Sequence, residues 1–374
     1  MTKHNKKKIL VGICGIGHGH SIRQKVILDY LLKNNHTIIT FITNISSNFF
    51  KKNFPNIPSI NVSVPWIHCD RNGIDFLKTG KNQINRSNSF VMNNFLAMDK
   101  ALTILGGEPD IVLTDYEPTC AQFAYILDKP LICFEQQSKF LGYKTQDIGN
   151  FTRNEEVARL KLFFPIASKR YSSSFFPITD QIDERYQVDL TPPLLANDIM
   201  KAKELNILPK ENNILVYLSP YGLFRQNIKD IMKILSSINE YNFNLFCYDA
   251  NSINVEQCKN VHIFNFDRQL FLKKLLDCNA IISTAGHQLL SEAILLDKPV
   301  LVLPFDTYEQ QYNAWVWESY GMGKSVKLLT VESIKKYISN LEKFKSNINS
   351  FKINTGFCNG ADILASSLNS NFEL

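Results

Sequence analysis

Long apolar runs are missing from this chain: no stretch approaches the roughly 18 consecutive apolar residues that a membrane-spanning helix requires. A disulfide or zinc framework is missing as well. Eight cysteines stand scattered at Cys14, Cys69, Cys120, Cys133, Cys247, Cys258, Cys278 and Cys358, with no Cys-x-x-Cys pair and no clustering with histidine. That usage points to reduced, mostly buried thiols in a cytoplasmic protein. The apolar stretch Ile9–Ile16 ends in Gly-His-Gly-His and not in a small-residue cleavage site, so it reads as a first strand and not as a signal peptide. No Asp-x-Asp motif occurs, so nothing calls for a divalent metal bridging a diphosphate. No internal repeat or coiled-coil heptad stands out.

What remains is an ordinary globular composition of 374 residues, 45 % hydrophobic and 20 % charged. That length exceeds one ordinary core and fits two domains of roughly 150–200 residues each. The net charge of +6 is partly concentrated in Lys3, Lys6, Lys7 and Lys8. This reads as a solvated basic tail, or as an attraction to an anionic partner or membrane surface; no nucleic-acid partner is expected.

Apolar runs alternate with amphipathic stretches throughout. Strands are expected at Ile9–Cys14, Ile38–Thr43, Ile60–Val64, Ile111–Thr114 and Leu131–Phe134, with helices near Ser21–Lys33, Phe90–Leu105 and Thr119–Leu127. A second set follows, with strands at Ile214–Leu218, Phe243–Tyr248, Val261–Phe264, Ala280–Ser283 and Val300–Leu303. Its helices are expected near Asn227–Ser237, Gln269–Leu276, Gln288–Leu295 and Tyr308–Tyr320. Two such series predict an α/β protein of two doubly wound, parallel-sheet domains facing across a cleft. The boundary is expected near Val188–Leu195, where Pro192 and Pro193 stiffen the chain. Residues 70–95, rich in Asn, Arg, Lys and Gly, read as long surface loops.

Residues 281–314 carry the strongest chemical signal. A short strand runs into the small-residue turn Thr284-Ala285-Gly286, and a helical pattern follows. A helix N-terminus at a strand's carboxyl end presents free N–H groups and a positive dipole, which suit the phosphates of a nucleotide. Glu292, about two turns on, could accept from both hydroxyls of a ribose. Beyond the next strand, Glu309 and Gln310 suit the hydroxyls of a sugar, and Asn313 follows.

A second signal follows the first strand, in Gly15-Ile16-Gly17-His18-Gly19-His20-Ser21-Ile22-Arg23. Position 20 is His where a dinucleotide fingerprint has its third glycine, and the later acidic ribose ligand is missing, which disfavours hydride transfer. An imidazole at such a turn can act as a general base near neutral pH; His18 and His20 compete for the role. Asp115 ends a later strand in Asp110-Ile111-Val112-Leu113-Thr114-Asp115-Tyr116-Glu117-Pro118. Taken by itself it reads as the N-cap of the next helix, since Thr119 and beyond read as helical.

Together these motifs resemble the GT-B nucleotide-sugar glycosyltransferases, especially the group containing macrolide and plant UDP-glycosyltransferases and the peptidoglycan N-acetylglucosaminyltransferase. Gly19-His20 followed sixteen residues later by His36 fits that group's interval, so the resemblance implies His20 as base, with Asp115 as its partner and Gly17 and His18 on the acceptor-side loop. It implies Thr284, Gly286 and Glu292 at the donor nucleotide, with Thr284 standing where plant-type members have His and His287 as a substitute contact. Glu309-Gln310 corresponds to the sugar-contacting Asp-Gln pair, and Ser219 to a diphosphate contact after the first C-terminal strand.

The architecture implied is GT-B. Residues 1–190 would form an acceptor-binding Rossmann-like domain, joined by a terminal helix over 355–370, and residues 196–354 a donor-binding one. The activity implied is inverting, metal-independent transfer from a nucleotide diphosphate sugar, a UDP-sugar by family frequency and a dTDP-sugar as the other choice. It needs no cofactor, the nucleotide sugar being a co-substrate. The acceptor would be a small molecule, a glycan or a lipid-linked sugar. Lys3–Lys8 and Phe49-Phe50-Lys51-Lys52-Asn53-Phe54 motivate peripheral association with the inner face of the membrane. A GT-B sugar-nucleotide epimerase and a non-enzymatic binding module are the competing classes.

Overall fold

The structure, a computed structural model, describes residues 6–15, 17–43, 47–64, 67–84, 89–218, 226–247 and 259–373. The chain divides into two compact units, Met1–Ala196 with Cys358–Leu374, and Asn197–Phe357.

In the first unit the strands are β1 (Lys8–Ile13), β2 (Thr37–Ile42), β3 (Ser59–Asn61), β4 (Cys69–Asp70), β5 (Gly73–Ile74), β6 (Ile111–Asp115), β7 (Leu131–Glu135), β8 (Lys169–Ser173) and β9 (Val188–Thr191). The helices are α1 (His18–Lys33), α2 (Ser47–Asn53), α3 (Phe76–Ile84), α4 (Ser89–Leu105), α5 (Pro118–Ile126), α6 (Lys139–Gly142) and α7 (Arg153–Phe163). Seven strands form one sheet in the order β3-β2-β1-β6-β7-β8-β9, every neighbour parallel. Helices cover both faces, which is why β1 reads as an unbroken apolar run and does not alternate. Ile9, Val11 and Ile13 pack with Ile27, Leu28 and Leu31 of α1. Leu10 points the other way, into a cluster with Ala101, Leu105 and Phe123.

The second unit contains α8 (Asn197–Glu204), β10 (Lys210–Tyr217), α9 (Ile228–Ser236), β11 (Asn242–Phe246), β12 (Val261–Phe264), α10 (Arg268–Asp277), β13 (Cys278–Ser283), α11 (His287–Leu295), β14 (Val300–Val302), α12 (Tyr308–Ser319), β15 (Gly323–Ser325), α13 (Val331–Ile338) and α14 (Leu341–Thr355). Its six-stranded sheet runs β12-β11-β10-β13-β14-β15, again all parallel. Ile214 and Val216 of β10 share a core with Ile231 and Leu235 of α9 and with Ile334 and Tyr337 of α13. The last helix, α15 (Ala361–Phe372), belongs to the first unit. Leu364 and Leu368 join the core on the α1 face, and Tyr171 donates to the Ser367 carbonyl at 3.5 Å.

Each sheet changes direction once. From β1 the chain builds β2 and β3 on one side, then returns to build β6 to β9 on the other; from β10 it builds β11 and β12, then β13 to β15. The crevice at the carboxyl ends of the two diverging strands is where open α/β sheets bind ligands. Those positions are the ends of β1 and β6 in one unit and of β10 and β13 in the other.

Several elements differ from expectation. Residues 70–95 carry the β4–β5 hairpin, α3 and the start of α4; their many polar residues disguise an amphipathic helix. The strand β8, Lys-Arg-Tyr-Ser-Ser, has no apolar run to announce it. It is buried because Arg170 donates to the Phe164 carbonyl at 2.6 Å and Tyr171 stacks on Phe134 with centroids 5.2 Å apart. Val188–Thr191, expected as part of the connection, is the edge strand β9. The strand expected over Ile60–Val64 is the shorter β3.

The aromatic patch offered for a membrane surface is a piece of core: Phe49, Phe50 and Phe54 are buried, with Lys51 and Lys52 in solvent. Lys7 and Lys8 reach the carbonyls of Phe372 at 2.5 Å and Gly106 at 2.7 Å, while Lys3 lies outside the described residues.

Candidate active-site residues

At the β1–β6 switch point, two glycines shape the turn for different reasons. A side chain on Gly15 would sit 2.2 Å from the Thr43 carbonyl oxygen, so only glycine allows that close approach. Gly17 precedes α1 with φ +84°, a left-handed backbone that other residues enter at a cost. The turn delivers His18 to the first position of α1 and His20 to the third. His18 lies against Phe49, ring centroids 5.8 Å apart. His20 points at β6, where its Nδ1 is 2.7 Å from Asp115 Oδ1.

Asp115 is completely buried and is the centre of a larger cluster. Arg23 donates to it twice, Nε to Oδ2 at 3.0 Å and Nη2 to Oδ1 at 2.5 Å. Gln24 Nε2 donates to Oδ2 at 2.9 Å, and Arg23 Nη2 also lies 3.0 Å from His20 Nδ1. Burial pushes the Asp115 carboxyl up, but Arg23 and then His20 outweigh it and hold it below the ordinary carboxylate range. An ionised carboxylate only accepts. A hydrogen on His20 Nδ1 satisfies that carboxylate, and in that tautomer Nε2 carries the lone pair.

The helix cap that competed for Asp115 is made by Glu117. Its carboxylate accepts from Thr119 N at 2.9 Å and Cys120 N at 2.6 Å at the start of α5, and Pro118 takes the first helical position. Between them Tyr116 is held at φ +57°, a strained conformation for a bulky residue. Its hydroxyl is 2.5 Å from Glu156 Oε1, and its ring stacks near His20 at 6.5 Å.

Burial pushes Glu117 up to about 7 from 4.5, with the bonds from Cys120 and Thr119 pulling it back only in part. The folded protein thus holds this proton more tightly than the unfolded chain does. The resulting stability is complete below pH 4.5 and is lost as pH rises through about 7. Glu117→Gln keeps an oxygen for the cap and removes the titration. The difference in urea-unfolding free energy between wild type and variant should therefore change by ~3 kcal/mol from acid to neutral pH, the wild type losing ground as pH rises.

At the β10–β13 switch point, β13 ends at Ser283, whose hydroxyl donates to the Tyr217 carbonyl of β10 at 2.9 Å. Thr284 and Ala285 lead to Gly286, the N-cap of α11. Here glycine is not required by the protein. Its φ is −70° and ψ 126°, open to any residue, and an added Cβ would meet nothing nearer than Thr284 Oγ1 at 3.9 Å. The glycine stands immediately before the backbone amides of the first turn of α11. Asn313 of α12 donates to the Ala285 carbonyl at 3.0 Å and fastens the turn.

His287 is buried at the start of α11, and Glu292 is buried further along. Glu309 and Gln310 lie in the first turn of α12, half-buried, and the Gln310 Oε1 is enclosed with no hydrogen-bond partner among the described residues. Ser219 falls outside the described residues.

Residues 7–342 match the family described as glycosyl transferase family 1. The chain belongs to that family. It is 23 % identical over 348 residues to an uncharacterized glycosyltransferase of Methanosarcina mazei, with 86 % of each chain covered. Among solved structures it is similar to the calicheamicin glycosyltransferase CalG4 (TM-score 0.63, 14 % identity, 98 % of each chain). It is also similar to Os79 from O. sativa, solved in complex with U2F and trichothecene (TM-score 0.67, 12 % identity, 97 % of this chain and 99 % of that one). The fold is GT-B, with two Rossmann-like domains, and the chain is a glycosyltransferase.

Two cationic members of this glycosyltransferase's clusters escaped the sequence. Arg23 carried a signal, because it stands three residues from His20 and so on the same face of α1. Arg268, which holds Glu292 from another helix, carried none.

Proposed function

We propose that this glycosyltransferase moves a sugar from a nucleotide diphosphate sugar, a UDP-sugar in the first instance, to an acceptor hydroxyl, inverting the anomeric carbon. The first unit handles the acceptor and the second the donor. The observation that carries this reading is the His20–Asp115 contact at a sheet switch point. It fixes one imidazole nitrogen against a buried anion and leaves the other as a base. In the reaction, Nε2 takes the acceptor's proton as its oxygen bonds to the anomeric carbon and the bond to the nucleoside diphosphate breaks. The leaving diphosphate gathers negative charge at the N-terminus of α11, where the amides after Gly286 and the helix dipole stabilise it. No bridging metal is needed for that step, in keeping with the missing Asp-x-Asp motif.

Thr284 and His287 meet the diphosphate, Glu292 meets the ribose, and Glu309 and Gln310 take the sugar's hydroxyls. Gly17 and His18 border the acceptor, a small molecule, a glycan or a lipid-linked sugar. We place the reaction in the cytoplasm on the thiol usage; no described helix is long and apolar enough to cross a membrane.

A thermal-shift screen of UDP-, dTDP- and GDP-sugars tests the donor assignment, since a ligand of the folded state raises its stability by mass action. At a concentration 100-fold above Kd the gain is ~2.7 kcal/mol, a shift of several degrees with the UDP series. No shift with any nucleotide at millimolar concentration removes the reading.

A further inference from the structure

One oxygen of Asp115 serves two neighbours. His20 Nδ1 lies 2.7 Å from Asp115 Oδ1, and Arg23 Nη2 reaches the same oxygen at 2.5 Å while standing 3.0 Å from His20 Nδ1. The other oxygen accepts from Arg23 Nε at 3.0 Å and from Gln24 Nε2 at 2.9 Å. All three partners come from α1, where residues three and four apart share a face. The side chains of Arg23 and Asp115 are 3 % and 0 % exposed, so salt and water screen this ion pair little.

These positions allow two arrangements of the ring hydrogen. With the hydrogen on Nε2, the lone pair of Nδ1 would face a carboxylate oxygen at 2.7 Å, two acceptors in contact. With the hydrogen on Nδ1, ring and guanidinium both donate to Oδ1 and nothing is opposed. The second arrangement needs an ionised Asp115. Burial pushes that carboxyl up, and Arg23 is foremost in pulling it down. Without the guanidinium, a buried carboxylate has lost its cation and the His20–Asp115 pair takes up a proton. A proton on Asp115 would be donated towards Nδ1 and leave the ring hydrogen on Nε2; a proton on the ring would sit on Nε2 directly. Both routes fill the nitrogen that a base must keep empty.

The other ionisable groups near the ring have partners of their own. Tyr116, whose ring stacks near His20, reaches Glu156, and Glu156 is paired with Arg159. Glu117 caps α5, and Glu135 at the end of β7 accepts from Ser138 N. Among the described residues, Arg23 is the one cation bonded to His20 or Asp115.

We infer that Arg23 is a positioning residue for the base: its guanidinium, bonded to both oxygens of Asp115 and set beside Nδ1, keeps His20 Nε2 free of hydrogen at neutral pH. The inference rests on the proposed role of His20 in transfer.

The test is nitrogen NMR of the full chain labelled in its seven histidines, with the His20 ring assigned by the loss of its signals in His20→Ala. At neutral pH the wild type should carry its ring hydrogen on Nδ1 and the lone pair on Nε2. In Arg23→Gln, Nε2 should carry a hydrogen at neutral pH and lose it about one pH unit or more above the wild type. Arg23→Lys keeps the charge on a single-point hold; it should fall between the two, and supplies the reading if Arg23→Gln does not fold. A role confined to stability would lower the melting temperature of these variants and leave the ring hydrogens where the wild type has them. Wild-type ring signals in Arg23→Gln, or in Arg23→Lys where that variant alone folds, overturn the inference. So does a hydrogen on Nε2 of the wild type at neutral pH. Undiminished sugar transfer by His20→Ala instead overturns the reading of His20 as the base, and the role of Arg23 with it, while the effect of Arg23 on the ring stands.

Discussion

His20→Ala should lower kcat for sugar transfer by about three orders of magnitude, within the 10²–10⁴ that a positioned general base contributes, and leave nucleotide affinity unchanged. Several side chains share this cluster, and His20 is the one whose removal is clean. Its side chain is 13 % exposed while Asp115 is at 0 % and Arg23 at 3 %, so truncating it exposes a small volume and leaves the Arg23–Asp115 pair intact. Asp115→Ala would instead strand a buried guanidinium, at about 3–5 kcal/mol, and lost activity could then reflect lost structure. Asp115→Asn is milder in shape, yet it turns an obligate acceptor into a group that can donate and so favours the wrong tautomer of His20. Both measurements are needed on His20→Ala: transfer at saturating donor and acceptor, and calorimetric titration of UDP. Undiminished transfer would exclude His20 as the base; lost transfer with lost UDP binding would show that the variant had damaged more than the proton acceptor.

The sequence showed the framework of both sites and little of what holds them. Apolar runs of four to six residues separated by helical periodicity are what a parallel sheet covered on both faces must produce, so β1, β2, β6, β7, β10, β13 and β14 were legible. The polar strand β8 was not, because its burial depends on Arg170 finding the Phe164 carbonyl, a partner set by tertiary position. The turn at Thr284–Gly286 and the pairing of His20 with Asp115 could be read because family spacing singles them out. Which of Asp115 and Glu117 caps α5 could not, since both precede the helix within one turn. The backbone decides it: the left-handed Tyr116 reverses the chain between them, sending Asp115 towards α1 and leaving Glu117 over the amides. Arg268 lay beyond any local rule, since a guanidinium can be recruited from any helix the fold brings near.

Gly286→Val should weaken UDP binding by a hundredfold or more without unfolding the protein. The two halves of that statement have separate causes. In the folded protein, φ of −70° and ψ of 126° already suit a residue with a Cβ, and the nearest atom to that Cβ is 3.9 Å away. Replacing glycine here reduces the entropy of the unfolded chain, worth about 0.4–1 kcal/mol. The poorer N-cap offsets this by a similar amount, so the melting temperature should move by only a few degrees. Binding has no such compensation. A branched side chain standing over the first turn of α11 keeps the diphosphate from two or more backbone N–H groups, and each charge-assisted bond lost is worth about 1.5–3 kcal/mol. Gly286→Ala, with one carbon in the way, should fall between the two. Gly15→Val is the necessary contrast: its Cβ would lie 2.2 Å from the Thr43 carbonyl oxygen, so it should cost stability whether or not nucleotide is present. If Gly286→Val binds UDP like the wild type, the N-terminus of α11 does not hold the diphosphate. If it unfolds as Gly15→Val does, the glycine serves the turn and not the ligand.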